Sequence, residues 1–194
     1  MSKAAGREAT SGVLVVSGPP GAGKSTVAPL FAARQGSPSA CIEMDWFWST
    51  ITSGYIPPWD PASEHQNEVI LRSVAALAKE MADGGYEVVL DGVVGPWNLP
   101  LLVGARSERS IPVHYVVLRP GLATCLARAS GRANDTPRVP GHPPLAESRP
   151  IRHMWAQFAD LGRFESHAID TTDLTAIETA EQVAAARAEG RLRV

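Results

Sequence analysis

Residues 18 to 25 read Gly-Pro-Pro-Gly-Ala-Gly-Lys-Ser, which carries the full Gly-x-x-x-x-Gly-Lys-Ser spacing of a phosphate-holding loop. Each residue type supplies a different part of that chemistry. Glycine lets the backbone curl so that successive N–H groups converge on an anion. A helix opening directly after the loop adds its N-terminal dipole. Lys24 brings a mobile point charge to the β- and γ-phosphates, and the Ser25 hydroxyl suits Mg²⁺. The expected cradle is Gly18, Gly21, Ala22, Gly23, Lys24, Ser25 and Thr26.

Two acids close apolar runs further along. Asp45 follows Cys41-Ile42-Glu43-Met44, and Asp91 follows Glu87-Val88-Val89-Leu90. In an open parallel sheet, ligands collect beyond the carboxyl ends of the strands. Placed there, Asp91 is expected to help hold Mg²⁺, and Asp45 to orient or deprotonate an attacking hydroxyl. Aspartate is also a common cap and turn former, so each role competes with a structural one. Glu43 is read as pointing the other way along its strand, away from the site, since side chains alternate. Trp46, Phe47, Trp48, Tyr55 and Trp59 crowd the segment after Asp45, and Trp97 follows Asp91. Aromatic walls of this kind suit a compact organic substrate, or the packing of a helix on the sheet.

Arginines gather late in the chain, at Arg128, Arg132, Arg138, Arg149 and Arg152. A planar guanidinium matches phosphate oxygens. Arg128 is assigned to bound nucleotide and Arg132 to the transferring phosphoryl, at the entrance to a lid. That lid is residues 131–144, too rich in Pro, Gly and polar residues for a regular element. No histidine shows metal-ligand spacing; His142 and His153 are the two that could reach a substrate.

These residues need a scaffold, and the chain alternates strand and helix signals in a way that implies a parallel sheet covered on both faces. Strands are expected at 13–17, 40–44, 86–90, 113–118 and 167–170. Helices are expected at 26–34, from a Ser63-x-x-Gln66 capping box to Gly84-Gly85, at 98–109, from Pro120 to about Ser130, at 145–161 with a break at Pro150, and at 175–189. Residues 1–11 form an expected loose tail before a single domain over 12–194.

A chain of 194 residues with 44% hydrophobic and 20% charged residues fits one globular domain. No apolar run approaches the ~20 residues that span a bilayer, and residues 1–12, small and polar without an apolar central segment, are not expected to act as a secretory signal. Cys41 and Cys125 are read as reduced, buried thiols, which fits a cytoplasmic setting, with a disulfide between them as the alternative. A net charge of −2 disfavours nucleic acid as a partner; it leaves the oligomeric state open.

With these motifs in place, the chain resembles the small P-loop kinases of the nucleotide and shikimate kinase type, and among them the chloramphenicol phosphotransferase-like proteins. The resemblance spans most of 12–188. It is carried by the loop, the strand ending at Asp45, Leu90-Asp91-Gly92, the arginines near Arg128 and Arg132, and Ile169-Asp170-Thr171-Thr172 before the last helix. It implies a three-layer α/β/α fold with a five-stranded parallel sheet in order 2-3-1-4-5. It also implies ATP and Mg²⁺ as cofactors, and transfer of the γ-phosphoryl to a small hydroxylated molecule, an antibiotic such as chloramphenicol being one. Asp45 matches the family's base, and the Asp170–Asp173 turn would lie near the adenine. Two other readings stay open: a nucleoside, sugar or polynucleotide-end kinase, and a nucleotide-dependent binding module. The lack of an Asn-Lys-x-Asp motif disfavours a GTPase.

Overall fold

Short β-branched runs closed by turn formers become strands, and alternation along them builds two apolar faces at once. The computed structural model describes residues 12–104, 111–131 and 145–194. Its strands are β1 (Val13–Ser17), β2 (Ser39–Glu43), β3 (Glu87–Asp91), β4 (Val113–Leu118) and β5 (Ala168–Ile169). They pair in parallel in the order β2-β3-β1-β4-β5, as the resemblance implied. Parallel pairing demands crossovers, and the helices supply them: α1 (Lys24–Ala32), α2 (Asp45–Ser49), α3 (Glu64–Asp83), α4 (Leu99–Val103), α5 (Leu122–Gly131), α6 (Ser148–Gln157) and α7 (Ala176–Ala188).

One face of the sheet, through Val13, Val15, Val88 and Leu90, packs on α3 and α4. The other, through Leu14, Val16, Val89 and Val116, packs on α1 and α7. The central strand β1 is buried at every residue, so the loop that leaves it is anchored in the middle of three layers. Among the described residues, no helix is long and apolar enough to cross a membrane.

Several boundaries differ from the sequence reading. Strand β2 ends at Glu43: the Met44 N–H makes the last ladder bond, to the carbonyl of Asp91 at 2.8 Å, and the chain coils into α2 from Asp45. The expected capping box at Ser63 and Gln66 does not form. The Ser63 hydroxyl donates instead to the carbonyls of Pro58 and Asp60, and the Gln66 amide bonds both backbone groups of Ile56. Both residues fasten the preceding segment to α3. A reciprocal box forms at Thr175 and Glu178, at the start of α7. Pro150 does not break α6, which starts at Ser148 and so places the proline in a first turn where its missing N–H costs nothing. Only Leu99–Val103 of the helix expected at 98–109 is helical before Gly104, and 105–110 lie outside the described residues. Cys41 is exposed on edge strand β2, not buried; Cys125 is buried, and both are free thiols. The tail at 1–11 and nearly all of the lid, 132–144 with Arg132, Arg138 and His142, also lie outside the described residues.

Candidate functional site

At the carboxyl end of β1, three glycines of the loop each adopt a positive φ: 141° at Gly18, 83° at Gly21 and 96° at Gly23. The loop also runs too close to its neighbours for a side chain. A Cβ at Gly18 would lie 2.2 Å from the carbonyl oxygen of Leu118, and one at Gly21 would lie 2.3 Å from that of Cys125. Gly23 is the N-cap of α1 and brings no side-chain oxygen to the first turn, so the helix dipole opens onto the hollow of the loop. Lys24 arches back over that hollow, its ammonium donating to the carbonyls of Gly18 (3.0 Å) and Pro19 (3.2 Å). Ser25 and Thr26 continue the first turn of α1.

Beside the loop lies a pocket of about 180 Å³, lined by Ala22, Gly23, Thr26, Arg128, Thr171 and Leu174 among others. Arg128 bridges its walls. Its guanidinium donates to the carbonyls of Thr171 (3.0 Å) and Thr172 (3.5 Å). The Asp170–Asp173 turn is built to hold this shape. Asp170 accepts from both the N–H and the hydroxyl of Thr172, whose oxygen accepts from the Gly121 N–H in turn. The hydroxyl of Thr172, and then its N–H, hold the Asp170 carboxyl below its ordinary value.

Asp91 closes β3 and is buried, with 4% of its surface exposed. Its register partners are Val16 on β1 and Glu43 on β2. Side chains in register on parallel strands share a face, and neighbouring strands lie about 4.8 Å apart. Glu43 therefore stands beside Asp91, on the α1 side of the sheet. Partial burial of the thiol, and then the charges of Asp91 and Glu43, raise Cys41 from 9.0 to about 11. Sequence reasoning turned Glu43 away from the site and gave it no role, whereas the register of β2 on β3 sets it on the same face as Asp91.

Asp45 is exposed at the first position of α2. Tyr55 comes near it: burial, then the charge of Asp45, raises the phenol above its ordinary value. The aromatic group after Asp45 divides in two. Phe47 and Trp48 pack against the core, with the Trp48 indole N–H donating to Asn67 at 2.8 Å. Trp46 and Trp59 stay 47% and 53% exposed. His153 is exposed on α6 beside Gln157, and Arg149 and Arg152 are exposed on the same helix. The structure thus gathers the loop, Arg128, Asp91 and Asp45 along the carboxyl edge of the sheet. It adds Glu43, and leaves Arg132 outside the described residues.

A hydroxyl at Ser25 with carboxylates at Asp91 and Glu43 forms a hard oxygen donor set, which suits Mg²⁺. No group of three or more His, Cys, Asp or Glu able to hold a metal occurs among the described residues. Mg²⁺ does not require one, since it keeps several waters and takes one or two carboxylates plus substrate phosphates.

The fold has solved counterparts. The tunicamycin resistance protein of Deinococcus radiodurans superposes with a TM-score of 0.61 at 22% identity, over 90% of this chain and 94% of that one. A sugar kinase from Janibacter sp. gives 0.61 at 20% identity, over 90% and 95%. The APS kinase CysC of Mycobacterium tuberculosis, solved with AMPPNP and APS, gives 0.60 at 18% identity, over 91% and 96%. At these identities the likeness speaks for the fold, that of the small P-loop kinases. No protein of curated function matches the sequence. A family model described as an AAA domain (AAA_33) matches residues 13–161, from β1 through the end of the segment after α6, and this chain, with its glycine-turned loop at the head of a 2-3-1-4-5 sheet, belongs to that family.

Proposed function

We propose that the protein is an ATP- and Mg²⁺-dependent phosphotransferase that moves the γ-phosphoryl of ATP to a hydroxyl of a small molecule. The observation that carries this reading is the juxtaposition at one sheet edge: a loop lined by backbone N–H groups, with Lys24 arched over it, next to two carboxylates in register. Gly18 to Thr26 wrap the triphosphate. Lys24 exchanges two carbonyl contacts for phosphate oxygens, a stronger, charge-assisted pairing. Arg128 and the Thr171 side of the pocket receive the nucleotide's far end. Ser25, Asp91 and Glu43 would hold the metal, which when bound would neutralise the phosphate charge that develops during transfer. Asp45 orients the acceptor hydroxyl and accepts its proton as the oxygen bonds to phosphorus and the bond to the β-phosphate oxygen breaks.

Calorimetry with ATP and MgCl₂ tests the donor half; folded protein that takes up no ATP removes the reading. Turnover tests the rest. Lys24→Ala is expected to lose phosphoryl transfer by about 100-fold or more while keeping its melting temperature. Asp45→Asn is expected to keep ATP affinity and lose most transfer, and undiminished transfer would exclude Asp45 as the base.

A further inference from the structure

The connection that leaves β3 after Asp91 is held with unusual firmness for a surface loop. Val94 is buried, and both of its backbone groups are used. Its carbonyl accepts from the Ser17 hydroxyl and from the Tyr115 hydroxyl, both at 2.7 Å. Its N–H donates to the Ser17 oxygen at 2.9 Å. Three residues on, the Trp97 indole lies flat on the backbone of Gly95, where an added Cβ would sit 2.2 Å from the ring. Phe158 supports the same indole, ring centroids 6.0 Å apart at 52°. Trp97 nevertheless stays 52% exposed. A large aromatic surface is thus fixed by an anchored loop and left open at the edge of the sheet that carries the acids.

Among the described residues, the two segments that flank it carry charge of one sign. Segments 43–63 and 91–104 contain Glu43, Asp45, Asp60 and Asp91, and no Lys, Arg or His. Arg119, which reaches the carbonyls of Phe158 and Ala159, is paired with Glu165. An anion entering between these segments meets carboxylates, whereas a neutral or cationic ring meets an aromatic face, which ring C–H groups and cations both favour.

Resting on the phosphotransferase reading, we infer that the acceptor is a ring-bearing hydroxylated compound without net negative charge, and that Trp97 is the platform that positions it. The experiment uses the whole chain with γ-labelled ATP, Mg²⁺ and the small-molecule fraction of a cell extract, split beforehand by ion exchange into neutral, cationic and anionic pools. Label is expected in the neutral or cationic pool. Label confined to the anionic pool overturns the inference. So does an absence of label from every pool, when calorimetry shows that the same protein binds ATP. A protein that binds no ATP takes down the earlier reading instead. With the labelled acceptor in hand, Trp97→Ala is expected to raise its KM about tenfold and to leave kcat and the KM for ATP within twofold. Trp97→Phe is expected to recover most of that loss. Gly95→Ala, which displaces the indole without removing it, is expected to raise the same KM. An acceptor KM unchanged in Trp97→Ala and Gly95→Ala removes Trp97 from the site.

Discussion

Strand β3 begins and ends in a buried acid, and the two edges of the sheet treat that acid in opposite ways. At the amino edge, Glu87 meets the Arg187 guanidinium at 2.7 Å, and Arg187 also lies over the Phe31 ring. Burial raises the Glu87 carboxyl above its ordinary value, and the hydrogen bond and charge of Arg187 only partly offset that. At the carboxyl edge, the neighbour of Asp91 is another acid, Glu43. The cations there, Lys24 and Arg128, rest on backbone carbonyls. One edge closes its charges on each other. The other sets two acids side by side, and its cations donate to backbone carbonyls that a phosphate can replace. A buried acid is therefore informative about function only through its partner.

The sharpest way to break this contrast is at the amino edge. Arg187→Ala leaves Glu87 buried and uncompensated, and is expected to cost about 3 kcal/mol or more of stability. Urea unfolding measures the loss. ATP affinity, taken where the variant is still folded, is expected to stay at the wild-type value. Weaker ATP binding with unchanged stability would mean that the two edges are not separable.

The reverse experiment is Asp91→Asn. It relieves a like-charge neighbourhood, so the melting temperature is expected to hold or rise. Phosphoryl transfer is expected to fall about 100-fold, the usual scale for losing one group that supports transition-state charge. Stability lost with transfer kept would make Asp91 a structural acid like Glu87.

The contrast also marks what could be read from the sequence. The phosphate loop, β1 and β4 stand where the residues alone put them, because a strand closed by glycines and a β-branched run between prolines are local signals. Asp45 and Asp91 could be singled out as candidates for the same reason, each ending an apolar run. Glu43 was not, since its significance lies in its register with Asp91, 48 residues on. The Glu87–Arg187 pair was illegible for the same reason, joining β3 to α7. Ser63 and Gln66 matched a capping pattern, yet their side chains found stronger uses on Pro58 and Ile56. A local motif loses when tertiary partners offer better bonds.

A smaller effect probes the anchor beneath Trp97. Tyr115→Phe removes one of the two hydroxyl donors to the Val94 carbonyl and leaves Ser17 in place. The expected loss is about 1 kcal/mol of stability, with ATP affinity unchanged. If the loop is anchored as one unit, the acceptor KM rises as well. A stability loss without any change in that KM would separate the anchor from the platform.

The mildest test belongs to the amino edge and concerns pH. His114 pairs with Arg193 in an antiparallel bridge that carries the C-terminal residues onto β4, where Leu192 and Val194 also bond the Tyr115 N–H and the Val113 carbonyl. The His114 Nδ1 is buried without a hydrogen-bond partner. Burial, then the charges of Arg187 and Arg193, lowers the ring from 6.5 to about 4. Across that window the unfolded chain binds the proton and the fold refuses it, so this site loses stability as pH falls from 6.5 towards 4 and adds no slope above. Glu87 acts with the opposite sign. Its raised carboxyl takes a proton more readily in the fold, so its contribution to stability grows as pH falls towards the carboxylate range. The upper half of the window, about pH 6.5 to 5.5, therefore reports His114 with the least interference. There, wild type is expected to lose stability to acid more steeply than His114→Phe, the two slopes meeting above pH 7. Parallel acid limbs in urea titrations would show that the proton His114 refuses is not what loosens this edge.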